Sequence, residues 1–260
     1  MKKKQIALLC VLILSGTMLA ATLSSCSVRL HDKYWVAEQT SGYATIRGLT
    51  AAGREQTELT LPAEIKGYPV KKLEANRTFI AAMLGSDIAH ANLGKLRKMT
   101  IEGSVEITRG FFGNSGVEVI EFLSEKPSIL KEGIFEGNRR WAAFLIVPEG
   151  SPDDFFGEGT ENRLKFKPLE AINGYFIKEN IFHGYYGDKE HIEVPEGVES
   201  TAVNSGVGYS VTTIKFPSTM KVIIARSNFN ASNGLETVYV SQNTVIEEGA
   251  ISSHVEIVRY

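Results

Sequence analysis

Val211-Thr212-Thr213-Ile214-Lys215-Phe216 and, further along, Leu235-Glu236-Thr237-Val238-Tyr239-Val240 share one pattern: apolar, two variable residues, apolar, one variable residue, apolar. It returns in Leu96-Arg97-Lys98-Met99-Thr100-Ile101, in Val117-Glu118-Val119-Ile120-Glu121-Phe122 and in Val255-Glu256-Ile257-Val258-Arg259-Tyr260. Weaker copies centre on Leu59/Leu61, Leu145/Val147 and Ile192/Val194. The middle apolar positions are then 59, 99, 120, 145, 192, 214, 238 and 258, separated by 40, 21, 25, 47, 22, 24 and 20 residues. The two long gaps are near double the others, as if each held one degenerate unit. Self-similarity at such a period marks a repeat array. An ordinary sandwich would instead change strand every ~8–12 residues.

A second column follows the first. Proline or a small residue closes the pattern at Leu61-Pro62, Val147-Pro148, Val194-Pro195, Phe216-Pro217 and Val240-Ser241. Proline has no N–H for a ladder, so it ends the strand and turns the chain. About ten to fifteen residues on, in the repeat order of such arrays, an aromatic follows a turn residue. Examples are Gly110-Phe111-Phe112, Gly133-Ile134-Phe135 and Asn228-Phe229, with Gly249-Ala250-Ile251 in the same place. Each such residue is expected to point inward and fill its coil.

Ile192-Glu193-Val194-Pro195-Glu196-Gly197-Val198, the stretch Ile214 to Ile223, and Leu235 to Ala250 with its Val245-Ile246-Glu247-Glu248-Gly249-Ala250 resemble BspA-like leucine-rich repeats. The likeness runs from about Tyr43 to Tyr260, patchily in 80–95 and 150–190. It departs where the asparagine ladder of other leucine-rich repeats is missing, and where Gly206-Val207-Gly208-Tyr209 replaces Ala-Phe. The resemblance implies an α/β repeat solenoid, β-rich: an irregular leucine-rich-repeat array with a curved parallel sheet and short turns or helical segments on the other side. It also implies a non-enzymatic surface protein that works by protein–protein interaction, with adhesion as the family-level expectation.

The leader comes before the repeats. Lys2, Lys3 and Lys4 precede an apolar run from Ile6 to Leu14, and small and polar residues follow to Ser25. That order reads as a signal peptide, and the run is far short of the ~20 residues a spanning helix needs. A short membrane anchor, or plain secretion with cleavage near Ala20-Ala21, are the alternatives. Leu23-Ser24-Ser25-Cys26 resembles the bacterial lipobox, which implies a diacylglyceryl thioether on Cys26 and cleavage before it. Its thiolate is the nucleophile such alkylation needs. The only other cysteine is Cys10, inside the leader, so the mature body is expected to hold no disulfide and no cysteine site. The expected organisation is signal peptide 1–25, lipid-anchored tether and lead-in 26–42, first repeat block 43–158, connecting segment 159–189, and second block 190–260.

The whole chain carries a formal charge of −2, and loss of the three leader lysines makes the remainder −5. That balance argues against nucleic-acid binding. No cofactor is expected. His31, His90, His183, His191 and His254 lie too far apart for metal-ligand spacing and read as surface or turn residues. Asp153-Asp154 with Glu158 and Glu161 lacks the Asp-x-Asp-x-Asp-Gly order of a calcium loop, so no metal is expected. Neither a Gly-x-Ser-x-Gly elbow nor a Walker loop is present.

The variable residue between the last two apolar ones is expected to face outward, in the column Thr60, Thr100, Glu121, Ile146, Glu193, Lys215, Tyr239 and Arg259. Tyr239, Lys215, Arg259, Glu193 and Glu121 are the candidate binding surface, because Tyr and Arg are enriched at interface hot spots. The expected partners are a membrane, through lipid on Cys26, and a protein or glycan at the cell surface. Self-association through the C-terminal edge is a further expectation. The competing readings are a carbohydrate-binding or enzyme-like lipoprotein with a site near Asp153–Tyr186, using Phe155-Phe156 and Tyr185-Tyr186, and a structural envelope component. In every case the expected location is exported, at the cell surface or outer envelope.

Overall fold

The computed structural model describes residues 27–75, 91–113, 115–136, 144–152, 154–156, 165–208, 210–225, 227, 229 and 234–260. The leader, Cys26, His90, Asp153, Glu158 and Glu161 lie outside the described residues. The chain divides into two compact units, one of residues 1–117, 123–139 and 154–162, the other of 118–122, 140–153 and 163–260.

The first unit opens with β1 (Val28–His31), β2 (Trp35–Thr40) and β3 (Tyr43–Leu49), paired antiparallel. The segment 26–42, expected as a tether and lead-in, thus contains the strand β1, whose Leu30 is buried opposite Ala37. A single helical turn, α1 (Ala51–Arg54), follows; the Thr50 hydroxyl accepts the Gly53 N–H at 3.2 Å and caps it. Next come β4 (Glu58–Leu61), β5 (Glu64–Ile65), β6 (Tyr68–Leu73), β7 (Lys98–Ile101) and β8 (Glu106–Ile107).

The remaining strands are β9 (Val119–Phe122), β10 (Ile129–Leu130), β11 (Phe144–Ile146), β12 (Lys165–Phe166), β13 (Ala171–Ile172), β14 (Tyr175–Lys178) and β15 (Ile181–Tyr185). They continue with β16 (His191–Glu193), β17 (Ser200–Val207), β18 (Thr213–Lys215), β19 (Val222–Ile223), β20 (Thr237–Val240), β21 (Val245–Ile246) and β22 (Glu256–Arg259). Of these, β10 belongs to the first unit and the rest to the second.

The repeats stack as a β-solenoid. In the first unit β4 and β7 pair in parallel with Leu59 opposite Met99, and β3, β6, β8 and β10 form a second parallel ladder. In the second unit Ile192, Ile214 and Val238 stand in one register along β16, β18 and β20, as the repeat spacing predicts. Ile120 of β9 stands opposite Leu145 of β11 in the same way. A second parallel ladder, β15-β17-β19-β21, forms the other wall of the coils.

That second ladder corrects the expected α/β character. Among the described residues the helical elements are α1 and one 3₁₀ turn, Pro168–Glu170. The strands closed at Phe216-Pro217 and Val240-Ser241 lead instead to the short extended pieces Val222-Ile223 and Val245-Ile246. These β-branched pairs are stiff at χ1 and suit a pleated ladder. They are also too short for the 3.6-residue period of an amphipathic helix.

Aromatic residues fill the coils where the sequence places them. Phe111, Phe112, Phe135 and Phe229 are buried. Phe112 stacks on Phe135 with ring centroids 5.4 Å apart, and Phe229 meets Phe216 edge-on at 5.7 Å. Each such side chain taken from water contributes roughly 1.5–3 kcal/mol. In the turn itself, Gly110 N–H donates to the Gly133 carbonyl and Phe112 N–H to that of Ile134, so the coils are laddered there too.

Candidate interaction face

Along a strand, successive side chains point to opposite faces. With Ile192, Ile214 and Val238 turned into the core, their neighbours are turned out. Glu193, Lys215 and Tyr239 therefore lie side by side across β16, β18 and β20, and His191, Thr213 and Thr237 form a parallel row two residues away. Lys215 Nζ is 3.3 Å from Glu193 Oε1 and 5.9 Å from the centre of the Tyr260 ring. The Tyr260 hydroxyl donates to the carbonyl of Phe216. Tyr260 is half exposed and brings a second aromatic ring to Lys215 beside Tyr239. Tyr260 stands as the last apolar residue of the repeat pattern, and the pattern carries no sign of this contact with Lys215. An ion pair this exposed holds little stability of its own, about 0–1 kcal/mol, so its charges remain available to a partner.

Two members of the expected column, Arg259 and Ile146, stand elsewhere. Val258, not Arg259, is opposite Tyr239, and Ile257 is opposite Val238, so the last coil is one residue shorter than the repeat spacing suggests. Arg259 Nη1 donates to the carbonyls of Ser241, Gln242 and Thr244 at 3.2, 3.2 and 3.0 Å. Its guanidinium closes the turn after β20.

Ile146 is buried rather than outward. It packs with Val119, Phe166 and Phe176, while Phe144, Ala171 and Tyr186 border the cluster. The physical reason is the antiparallel meander β13-β14-β15, whose Phe176 stacks on Phe144 at 3.9 Å and turns the outer side of β11 and β12 into a second core. Glu121 is half-buried opposite Ile146. In the first unit, Thr60 is exposed opposite a half-buried Thr100.

Phe155, Phe156 and Tyr185 are buried, and Phe155 meets Phe156 edge-on at 5.1 Å. None of the three offers a free ring face to a sugar. His183 also departs from a surface histidine: it is half-buried in β15 with its ring 5.3 Å from that of Phe166. Burial, then the positive charge of Lys178, holds its pKa down at about 4 against an opposing pull from Glu170. Its imidazole is neutral at neutral pH. At the last coil the apolar Val245 and Ile257 are exposed at 59% and 43%.

No family model matches the chain, and no curated protein matches it. Among solved structures it is similar to a leucine-rich cell surface protein from Faecalibacterium prausnitzii A2-165. The two are 12% identical with a TM-score of 0.30, over 89% of this chain and 87% of that one.

Proposed function

We propose that this chain is an exported, lipid-anchored, non-catalytic surface protein of leucine-rich-repeat type that captures a protein partner through the outer face of β16, β18 and β20. The observation that carries the reading is the single register that sets Glu193, Lys215 and Tyr239 side by side, with Tyr260 against Lys215. A row with an anion, a cation and two tyrosines supplies both steering charge and the aromatic anchors that interface hot spots favour. The leader and Leu23-Ser24-Ser25-Cys26 support export and an anchor on Cys26.

The test presents the intact, membrane-anchored chain to panels of purified matrix proteins and of glycans. Replacing Tyr239→Ala with Lys215→Ala is expected to weaken capture of the protein ligand by about tenfold or more. Val203→Ser, at an exposed position of β17 on the other ladder, leaves capture unchanged. Binding that ignores the double substitution, or that selects glycans alone, overturns the reading.

A further inference from the structure

We infer that the edge strand β1 lies against the headgroup layer of an anionic membrane, held there with no flexible spacer. The inference rests on the proposed lipid attachment at Cys26 and adds where the folded body begins relative to it. One residue, Ser27, separates Cys26 from Val28, the first residue of β1. Even a fully extended chain spans only about 7 Å over those two steps, less than one Debye length at physiological salt.

The strand cannot peel away to lengthen that reach without breaking the fold. Its full length is paired with β2, from Val28 opposite Gln39 to His31 opposite Val36, and Leu30 is in the core. The next turn is fixed as well. Asp32 Oδ1 accepts the N–H groups of Tyr34 and Trp35, both at 2.9 Å, and Trp35 is buried. The Thr50 hydroxyl donates to the Lys33 carbonyl at 2.6 Å, and Thr50 N–H donates to that of Tyr34.

What this rigid edge offers a membrane is apolar and cationic. Val28, Arg29, His31 and Lys33 are exposed. The one acid among them, Asp32, is half-buried and keeps its charge while it accepts the two backbone N–H groups, so Arg29 and Lys33 still outnumber it. A juxtamembrane Lys or Arg near an anionic leaflet is attracted by its negative surface potential. The pair therefore biases the edge toward the membrane, while the lipid supplies the attachment itself.

The experiment uses the intact lipidated chain in vesicles of phosphatidylcholine with or without phosphatidylglycerol. A nitroxide is placed by Gln39→Cys, next to Val28 in the ladder. Relaxation of that label by a nickel-chelating headgroup lipid reports its distance from the membrane surface. The expected result is relaxation several-fold stronger than in a variant carrying a ten-residue Gly-Ser insertion after Ser27. Arg29→Glu with Lys33→Glu is expected to lower it in the phosphatidylglycerol vesicles. The insertion lies outside the folded body, and mass spectrometry of the N-terminal peptide checks acylation in each sample. An unmodified Cys26 overturns the anchor and this inference with it. An acylated Cys26 whose label relaxes no more than in the spaced variant overturns this inference alone.

Discussion

His183 shows how a single side chain can tie stability to pH. Its imidazole sits against Phe166 with Lys178 nearby, so protonation would place a cation in a half-buried site beside another cation. In the unfolded chain it takes up a proton near the ordinary value of 6.5, in the folded chain only at about 4. The unfolded state therefore binds more protons between those values, and stability declines as pH falls through that window. The contribution is fully present above 6.5. His183→Phe is expected to flatten the slope of the urea midpoint between pH 6.5 and 4, and an imidazole NMR titration checks the depressed value directly. An imidazole that titrates near 6.5 in the folded protein would sink the prediction. The sequence shows a histidine within an alternating strand, but its environment comes from Phe166, 17 residues earlier on another strand. Arg259 is a second case. Val255-Glu256-Ile257-Val258-Arg259-Tyr260 fits two alternations one residue apart, and pattern alone does not choose between them. The contacts of the guanidinium with the 241–244 turn accompany the choice that the fold makes.

The elements of this solenoid are too short to announce themselves. β8, β10, β19 and β21 hold two residues each, and no alternation can be seen in two residues. They are strands because the preceding coil already presents a matching ladder edge. Buried hydroxyls reinforce the coupling where those ladders are short. Thr201 Oγ1 accepts the Ile224 N–H at 3.0 Å, and the Thr244 hydroxyl donates to the Met220 carbonyl at 2.9 Å. Ser205, buried in the same strand as Thr201, has no hydrogen-bond partner for its hydroxyl. The two positions should therefore respond in opposite ways. Thr201→Val keeps the shape but takes the acceptor from the half-buried Ile224 N–H, at a cost of about 1 kcal/mol. Ser205→Ala removes an unsatisfied group and leaves stability equal or higher. Urea denaturation of the two variants beside the parent checks both. A midpoint that falls equally for both would show that the hydroxyl of Thr201 is not a link between coils.

At the scale of the molecule, one device occurs twice. The first unit opens with the antiparallel strands β1, β2 and β3 and then takes a parallel partner, β6. The second contains β13, β14 and β15, the last of which takes the parallel partner β17. In both, a glycine in positive φ interrupts the last antiparallel strand, Gly48 at +150° and Gly184 at +159°. A Pro-closed strand follows each, at Leu61-Pro62 and Val194-Pro195. At Gly184 the requirement is steric as well, since a Cβ there would run into the Phe144 ring and lie 2.7 Å from the Gly206 carbonyl. The period of the coils was legible because each coil must bury the same inward column against its neighbours. These lead-in hairpins were not, because antiparallel pairing within 28–49 and 171–185 does not carry the repeat. That is also why Ile146, covered by the second hairpin, was misassigned to solvent.

If stability is a sum over coils and their interfaces, whole coils should be removable and half coils should not. Thr213 and Thr237 occupy equivalent positions in adjacent coils, so deleting residues 213–236 joins Thr212 to Thr237 and carries β16 onto β20 in the same register. The shortened chain is expected to keep a β-rich circular dichroism spectrum and cooperative unfolding, with a lower urea midpoint and a smaller m-value because less surface is exposed on unfolding. Deleting 213–224 instead removes β18 and β19 but keeps the other half of that coil, so the ladders on either side of the cut lose register and cooperative unfolding is lost. The full-coil deletion also discards Lys215 while keeping Glu193 and Tyr239, now as direct neighbours. A folded product that no longer captures the partner would separate the two roles of this stretch. Its period builds the array, and its outward lysine belongs to the face.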